Sequence, residues 1–195
     1  MNFDFSEDQK FLKEQANKFL TEQCETAVFR AVLNDPAKTH SKELWKSIVE
    51  MGWTGTTIPE EFGGLGLGYL ELCVIAEELG RAIAPVPFSS SVYLATEGLL
   101  LAGSQTQKEK YLPRLATGEI IGTLAMSEGP RQALPKNMDV TFKNGKLSGV
   151  KLPVPDGSIA DFALVVAKTG DGKTEKDVGL VLVYLNGDGV TRETV

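Results

Sequence analysis

A glycine-rich stretch, IPEEFGGLG at residues 58–66, stands directly before a segment of helical spacing that contains EELGR at residues 77–81. Glycine reaches positive φ values and lets another part of the chain approach closely, so the stretch suits a tight connection packed beneath a helix. It lacks the GxxxxGK[ST] pattern of a phosphate-binding loop, and no strand precedes it as a dinucleotide-binding GxGxxG would require. The residues alone therefore favour a structural connection over a phosphate cradle.

Apolar side chains recur at helical spacing through the first part of the chain. Ser6 followed by Gln9 is a capping-box pattern, which predicts a first helix over about residues 6–29. Ser41 can cap a second helix, and Met51 with Gly52 should end it.

A third predicted helix carries apolar side chains inward and acids outward. Its inward side chains are Leu72, Cys73, Ala76 and Leu79. Adjacent helical positions diverge by about 100°, so Glu77 and Glu78 do not converge on one atom as a catalytic pair would. We expect both acids to face solvent or a following domain.

Two more helices precede a change in composition. Residues 92–101 are nearly all apolar, which is typical of a buried helix. Ser104 can cap a last helix, which Pro113 and then Gly118 should end. We therefore predict an all-α helical bundle over residues 1–118.

Short β-rich runs separated by turn residues follow the bundle. Asn144-Gly145 is a strong hairpin signal between two of them. Strand runs with no helix between them predict an antiparallel, β-barrel-like domain over residues 119–195, so the fold class is α+β. The tail at 189–195 carries no closing element, and we expect this domain to be incomplete. The predicted strands cover residues 122–127, 140–142, 146–151, 162–167 and 178–185.

The composition is that of an acidic globular chain. It has 195 residues, of which 42% are hydrophobic, which is enough for a substantial core. The formal net charge of −6 argues against binding to nucleic acid or to an anionic membrane. No apolar run approaches the about 18 residues that span a bilayer, and the start MNFD is not a signal peptide, so we expect a cytoplasmic protein with no membrane span.

Few side chains suit metal or nucleophilic chemistry. Cys24 and Cys73 lie far apart without a CxxC pair, so neither a disulfide nor a zinc site is predicted, and both should pack as small apolar residues. His40 is the only histidine, and its polar neighbours favour a surface loop over a catalytic role. No metal site is predicted, and hydrolase and metalloenzyme functions lose most of their support.

The order of these parts resembles the acyl-CoA dehydrogenase family over essentially the whole chain. In that family a helical N-terminal domain and a β-barrel-like middle domain precede a helical C-terminal domain, and FAD lies between the last two. The resemblance implies that this sequence ends inside the middle domain. It rests on residues 58–66, 77–81, 107–115 and GTLAMSE at 122–128.

The reaction that the resemblance implies is α,β-dehydrogenation of an acyl-CoA thioester, in which a carboxylate removes an α-proton and flavin N5 takes a β-hydride. Hydrogen bonds to the thioester oxygen stabilise the developing enolate charge. The family's base is a glutamate of the C-terminal region, so no acid of this sequence is predicted to be catalytic and the chain alone should not be competent. The resemblance also implies an electron-transfer flavoprotein as redox partner and a homo- or hetero-oligomer.

The first segment that the resemblance assigns to FAD is the strand before Glu128. Leu124, Met126 and Ser127 occupy the places of the family strand that ends in a Thr-Glu-Pro motif, whose backbone and hydroxyl reach the flavin ring. The Ser127 hydroxyl could donate to a flavin carbonyl or to N5. A serine that merely ends a strand is an equally good interpretation of the residue by itself.

The second segment is KLPVPDG at residues 151–157, which aligns with the family's Lys-x-Trp-Ile-Thr-Asn-Gly hairpin over one flavin face. Pro153 replaces an aromatic residue and Pro155 a hydroxyl residue, so a stacking plane and a donor are both lost. GPRQALP at 129–135 replaces a Gly-Ser-Asp turn at the substrate entrance, which leaves the family's substrate-side serine without a clear counterpart.

Three functions stay open on the sequence. The leading one is an FAD-dependent acyl-CoA dehydrogenase. The second is a non-catalytic partner subunit of a heteromeric dehydrogenase, which Pro153 and Pro155 favour. The third is a helical interaction module with a β-appendage, against which the order of the motifs argues.

Overall fold

The computed structural model describes residues 4–130 and 133–194. The α+β class is confirmed, because helices come first and the strands begin at Gly122. By internal contacts the chain divides into one unit of Met1–Phe88 with Glu109–Glu119 and a second of Ser89–Lys108 with Ile120–Val195. The domain boundary near residue 118 stays a prediction. Parts of three predicted segments lie outside the described residues, namely residues 1–3, Arg131 with Gln132, and Val195.

The capping box predicted at the start of the first helix is present, and the helix is shorter than expected. The Gln9 amide donates to Ser6 Oγ at 3.2 Å, and the Ser6 amide donates to Gln9 Oε1 at 3.0 Å. The predicted single helix divides because Cys24 and Glu25 leave helical backbone angles. The helices of the first unit up to Arg81 are α1 (Glu7–Gln23), α2 (Thr26–Leu33), α3 (Lys42–Glu50) and α4 (Tyr69–Arg81).

Helix α4 corrects two expectations about which side chains face inward. Glu78 is only 2% exposed, because Asn17 Nδ2 donates to its carboxylate at 2.8 Å and Arg81 Nε at 2.6 Å. Glu77 does lie at the surface, where it pairs with a lysine of α1. Cys73 is exposed rather than packed inward, since the buried positions of this turn are Leu72, Val74 and Ile75.

The glycine-rich stretch forms the structural connection that the sequence favoured. Leu65, Gly66 and Leu67 donate their amides to carbonyls of residues 55–58 at 2.8–2.9 Å. A side chain on Gly64 would collide with the carbonyl of Ile58. Because these amides bond to the chain itself, the loop does not offer them to a phosphate.

The buried helix predicted over 92–101 begins earlier and has two geometries. Ser89–Thr96 is a π-helix, and α5 (Glu97–Ala102) continues it. Ser104 caps α6 (Gln105–Ala116), as predicted, with its Oγ accepting from the Gln107 amide at 3.3 Å. Pro113 lies inside α6 and does not end it, which corrects that expectation. The fixed φ of proline is compatible with a helix, and the cost is the loss of its amide hydrogen bond to the residue four positions earlier. The chain leaves the helix at Gly118, whose φ is +62°.

The sheet of the second unit is mixed, where the sequence predicted an antiparallel one. Within the described residues its five strands do not close into a barrel. Strand β4 pairs parallel with β1 and antiparallel with β5, because the β2–β3 hairpin lies in a crossover long enough to bring β4 beside β1 in the same direction. The strands are β1 (Gly122–Ala125), β2 (Thr141–Lys143), β3 (Lys146–Ser148), β4 (Phe162–Lys168) and β5 (Val178–Tyr184).

Both faces of β1 are covered within the second unit. On one face Gly122 lies against the π-helix, where an added Cβ would stand 2.5 Å from that of Ala95. The other face contributes to a core of small and branched side chains. That core contains Ala125, Val140, Ala163, Val165 and Ala167.

Candidate functional site

The two segments that the sequence assigned to a flavin lie side by side in the second unit. The Leu152 amide donates to the Ser127 carbonyl at 2.8 Å, and the Gly129 amide donates back to the Leu152 carbonyl at 2.7 Å. Further along, the buried Thr123 hydroxyl donates to the Pro155 carbonyl at 2.6 Å. Hydrogen bonds therefore hold residues 123–129 beside residues 152–155.

The predicted contact residues differ in how far they reach solvent. Leu124 and Ser127 are half-buried, and Met126 is 46% exposed. Pro153 and Pro155 are both exposed. All five lie on the paired segments. The structure thus brings Leu124, Met126 and Ser127 close in space to the two prolines, which lie about 30 positions later in the sequence.

The paired segments offer an apolar surface of the kind that can cover a flat ring. Met126 and Leu152 are large apolar side chains with 46% and 43% of their surface exposed, one on each segment. Pro153 adds a rigid exposed ring but no N–H. Among the five predicted residues, the side-chain group that could make a polar contact to a ligand is the Ser127 hydroxyl. These residues fit the flat ring of a flavin better than they fit a phosphate.

A buried ion pair joins the same two segments, and the sequence analysis did not identify it. Lys151 Nζ lies 2.6 Å from Glu128 Oε1, and the two side chains are only 7% and 10% exposed. Lys151 Nζ also donates to the carbonyl of Met126 at 2.9 Å. The only sequence signal was the alignment of Lys151 with the first lysine of the family hairpin.

Glu128 also holds a third segment of the chain. Its Oε2 accepts from the amides of Asp139 at 2.5 Å and Val140 at 3.3 Å. Burial by itself would raise the pKa of Glu128, but the hydrogen bond from Lys151, the Asp139 amide and the charge of Lys151 together hold that pKa below its usual range. Glu128 is thus kept ionised and fully engaged, which is unsuitable for a general base.

The turn after the proline-containing segment is fastened from two sides. Ser90 Oγ, on the buried side of the π-helix, donates to Asp156 Oδ2 at 2.6 Å. On the other side, Arg192 lies in the segment that follows β5 and donates to Asn186 Oδ1 at 2.7 Å. Its other terminal nitrogen lies 3.1–3.3 Å from the carbonyls of Gly157, Ser158 and Ala160.

In the part of the chain that the structure describes, the other acidic, cysteine and histidine side chains do not form a metal site. Among residues 4–130 and 133–194 no group of three His, Cys, Asp or Glu side chains is placed to hold a metal ion. Cys24 is buried, as predicted, and burial raises the pKa of its thiol. In the same described ranges no helix is both long and apolar enough to cross a membrane.

Comparison with known proteins agrees with this architecture. The family model "Acyl-CoA dehydrogenase, N-terminal domain" matches residues 6–119. Mitochondrial isovaleryl-CoA dehydrogenase of Pongo abelii is 37% identical over 170 residues, covering 84% of this chain and 40% of that protein. The ChsE4-ChsE5 complex from Mycobacterium tuberculosis superposes with a TM-score of 0.83 at 25% identity, covering 98% of this chain and 50% of that one. The structure of a glutaryl-coenzyme A dehydrogenase complex with glutaryl-CoA superposes with a TM-score of 0.81 at 25% identity. The match covers 94% of this chain and 48% of that chain.

A helical N-terminal region followed by this mixed sheet is the architecture that the chain shares with the acyl-CoA dehydrogenases among these structures. The chain belongs to the acyl-CoA dehydrogenase family. The resemblance read from the sequence is therefore confirmed. The chain spans 40% of the length of the isovaleryl-CoA dehydrogenase and about half of each of the two solved chains described above.

Proposed function

We propose that this chain is the N-terminal and partial middle region of an FAD-dependent acyl-CoA dehydrogenase. Family membership supports the reaction class. The observation that carries the proposal is the pairing of the two flavin-assigned segments, joined by the bond from the Leu152 amide to the Ser127 carbonyl at 2.8 Å. The domain limits we propose are 1–118 for the helical domain and 119–195 for the partial β-domain.

The proposed FAD contacts are divided between the two segments. Met126 and Pro153 would pack against the ring, and the half-buried Leu124 would add apolar contact. The Ser127 hydroxyl would donate to a ring carbonyl or nitrogen. Pro155 would contribute its ring, while its carbonyl is held by Thr123. Bound FAD would supply the acceptor for the hydride that leaves the substrate.

The substrate and partners follow from the family. We propose an acyl-CoA thioester as substrate, an electron-transfer flavoprotein as redox partner, and a homo- or hetero-oligomeric assembly. Glu128 is excluded as the base by its buried pairing with Lys151. The base would come from sequence outside these 195 residues, in keeping with relatives about twice as long. A cytoplasmic location stays a prediction, and the isovaleryl-CoA dehydrogenase cited above is mitochondrial.

A second candidate is a non-catalytic partner subunit of a heteromeric dehydrogenase. Pro153 and Pro155 favour it, because neither can donate a backbone hydrogen bond to a flavin. The similar ChsE4-ChsE5 structure is a complex of two named chains. The helical interaction module gains no comparable support, since the isovaleryl-CoA dehydrogenases of Pongo abelii and Oryza sativa match 84% and 92% of this chain.

The visible absorbance spectrum separates the first two candidates. The full-length protein is purified from its own host with whatever co-purifies, and the spectrum is recorded before and after a mixture of acyl-CoA thioesters is added. A flavin band that bleaches supports the dehydrogenase, and the thioester that bleaches it identifies the acyl group. A folded protein without a flavin band refutes the dehydrogenase proposal and favours the partner subunit.

A further inference from the structure

On the basis of the proposed function, we propose that Glu128 and Lys151 are positioning residues for the flavin. They would fix the position of residues 126–128 relative to residues 151–153, so that the surface that contacts the flavin ring is formed before FAD binds. Neither side chain need touch FAD. Each acts through the backbone that it anchors.

The geometry of Lys151 supports this role. Its amine lies between two acceptors on the first segment, the Met126 carbonyl at 2.9 Å and Glu128 Oε1 at 2.6 Å. Lysine has a long flexible stem that loses considerable rotamer entropy when it is fixed. In Lys151 the stem is fixed, and only 7% of the side-chain surface is exposed. Met126 and Leu152, the exposed apolar side chains, immediately neighbour these anchored positions.

Energetics also favour positioning over simple stabilisation. A buried ion pair gains little net free energy compared with a well-packed apolar pair, because both charges lose their hydration. Its distinctive property is directional geometry, since charge-assisted hydrogen bonds are short and orientation-dependent. Glu128 extends that geometry to a third segment through the amides of Asp139 and Val140. One carboxylate thereby fixes three stretches of chain.

The other unit provides a matched control. Glu78 is a comparably buried carboxylate, and Arg81 Nε lies 2.6 Å from its Oε2. It also accepts from Asn17 Nδ2 at 2.8 Å, and so joins α4 to α1. Glu78→Gln should therefore remove a buried charge of the same type without loosening residues 126–128 or 151–153.

The test compares the full-length wild-type protein with Glu128→Gln, Lys151→Met, the double variant and Glu78→Gln. Amide hydrogen exchange is followed at Leu152 and Gly129, whose bonds join the two segments, and FAD affinity is measured by flavin fluorescence. We expect Glu128→Gln to speed exchange at both amides and to weaken FAD binding, each by about tenfold. In the double variant, exchange should be slower and FAD binding tighter than in Glu128→Gln, because no unpaired buried charge is left. Glu78→Gln should change neither quantity.

Two results would overturn the inference. One is unchanged exchange at Leu152 in Glu128→Gln. The other is acceleration at Leu152 that is matched throughout β4, since that would reflect general destabilisation of the unit. If the wild-type protein binds no FAD, the proposed function fails, while the exchange rates at Leu152 and Gly129 still decide whether the pair holds the segments.

Discussion

The Thr123 hydroxyl donates to the Pro155 carbonyl at 2.6 Å, and Thr123 itself is fully buried. This bond fixes the proline-containing segment against β1 at the end opposite to the Glu128–Lys151 pair. Thr54 makes the same kind of bond in the other unit, from a buried hydroxyl to the Ala116 carbonyl at 2.6 Å. A comparison of variants at Thr123 and Thr54 can therefore distinguish an effect on the proposed flavin site from a general effect on stability.

Thr123→Val should lower both stability and FAD affinity. Valine keeps the shape but removes the hydrogen bond to the Pro155 carbonyl, and a typical intramolecular hydrogen bond contributes about 0.5–1.5 kcal/mol to stability. The measurements are urea denaturation and FAD titration of the full-length protein. Thr54→Val should show a similar loss of stability with unchanged FAD affinity. Equal loss of FAD affinity in Thr123→Val and Thr54→Val would contradict the assignment of the Pro155 segment to the FAD site.

Ser127→Ala should weaken FAD binding and shift the visible flavin spectrum while changing the free energy of unfolding by no more than about 0.5 kcal/mol. Ser127 is half-buried, and its backbone carbonyl, which accepts from Leu152, is retained in alanine. Only the proposed hydroxyl contact to the ring is removed. An unaltered spectrum and affinity would show that the Ser127 hydroxyl makes no contact with the flavin.

Gly122→Ala should destabilise the second unit by about 1–3 kcal/mol, because overpacking forces neighbours to move. The added methyl would lie 2.5 Å from Ala95 Cβ and 2.7 Å from Phe162 Cζ. Thermal denaturation measures the effect. Gly80→Ala is the control, since it lies inside α4 with no atom within 4 Å of the added methyl. That change should stabilise the helix by up to about 1 kcal/mol.

The Glu128 carboxylate should make stability depend on pH in the acid range. Its pKa is lower in the folded protein than its ordinary value of 4.5, so the unfolded chain binds a proton first as the pH falls. The stabilisation is complete above pH 4.5 and is lost as the pH falls through the lower, folded pKa.

The check is urea denaturation of the wild-type protein and Glu128→Gln from about pH 7 to about pH 3. The difference in free energy of unfolding should be constant above pH 4.5 and shrink below it. Asp177, whose pKa the backbone amide of Thr174 also lowers, is present in both proteins and cancels in the difference. A difference that stays constant down to the lowest pH would contradict the assigned role.

Local signals in the sequence predicted local structure well. The Ser6–Gln9 and Ser104–Gln107 caps form as expected, because a cap involves residues only three apart. Asn144 and Gly145 have φ values of +51° and +75° at the turn between β2 and β3, as their residue types indicated. The positions of the strands followed from the same kind of signal.

Long-range pairing was beyond the reach of those signals. The parallel pairing of β1 with β4 joins strands separated by the β2–β3 hairpin, and nothing in either strand encodes its direction. Glu78 was expected to face outward because acids on a helix usually face solvent, and its burial depends on Asn17, 61 positions away. The Glu128–Lys151 pair spans 23 positions with no regular spacing. The two flavin segments were found only through the family resemblance.

Amide hydrogen exchange of the full-length protein with and without added FAD tests the central claim most directly. If residues 124–129 and 151–157 form the flavin surface, FAD should slow exchange in both segments together and leave residues 58–68 unchanged. Slowed exchange in the 58–68 loop, or no change in either paired segment, would contradict the assignment of this surface to FAD.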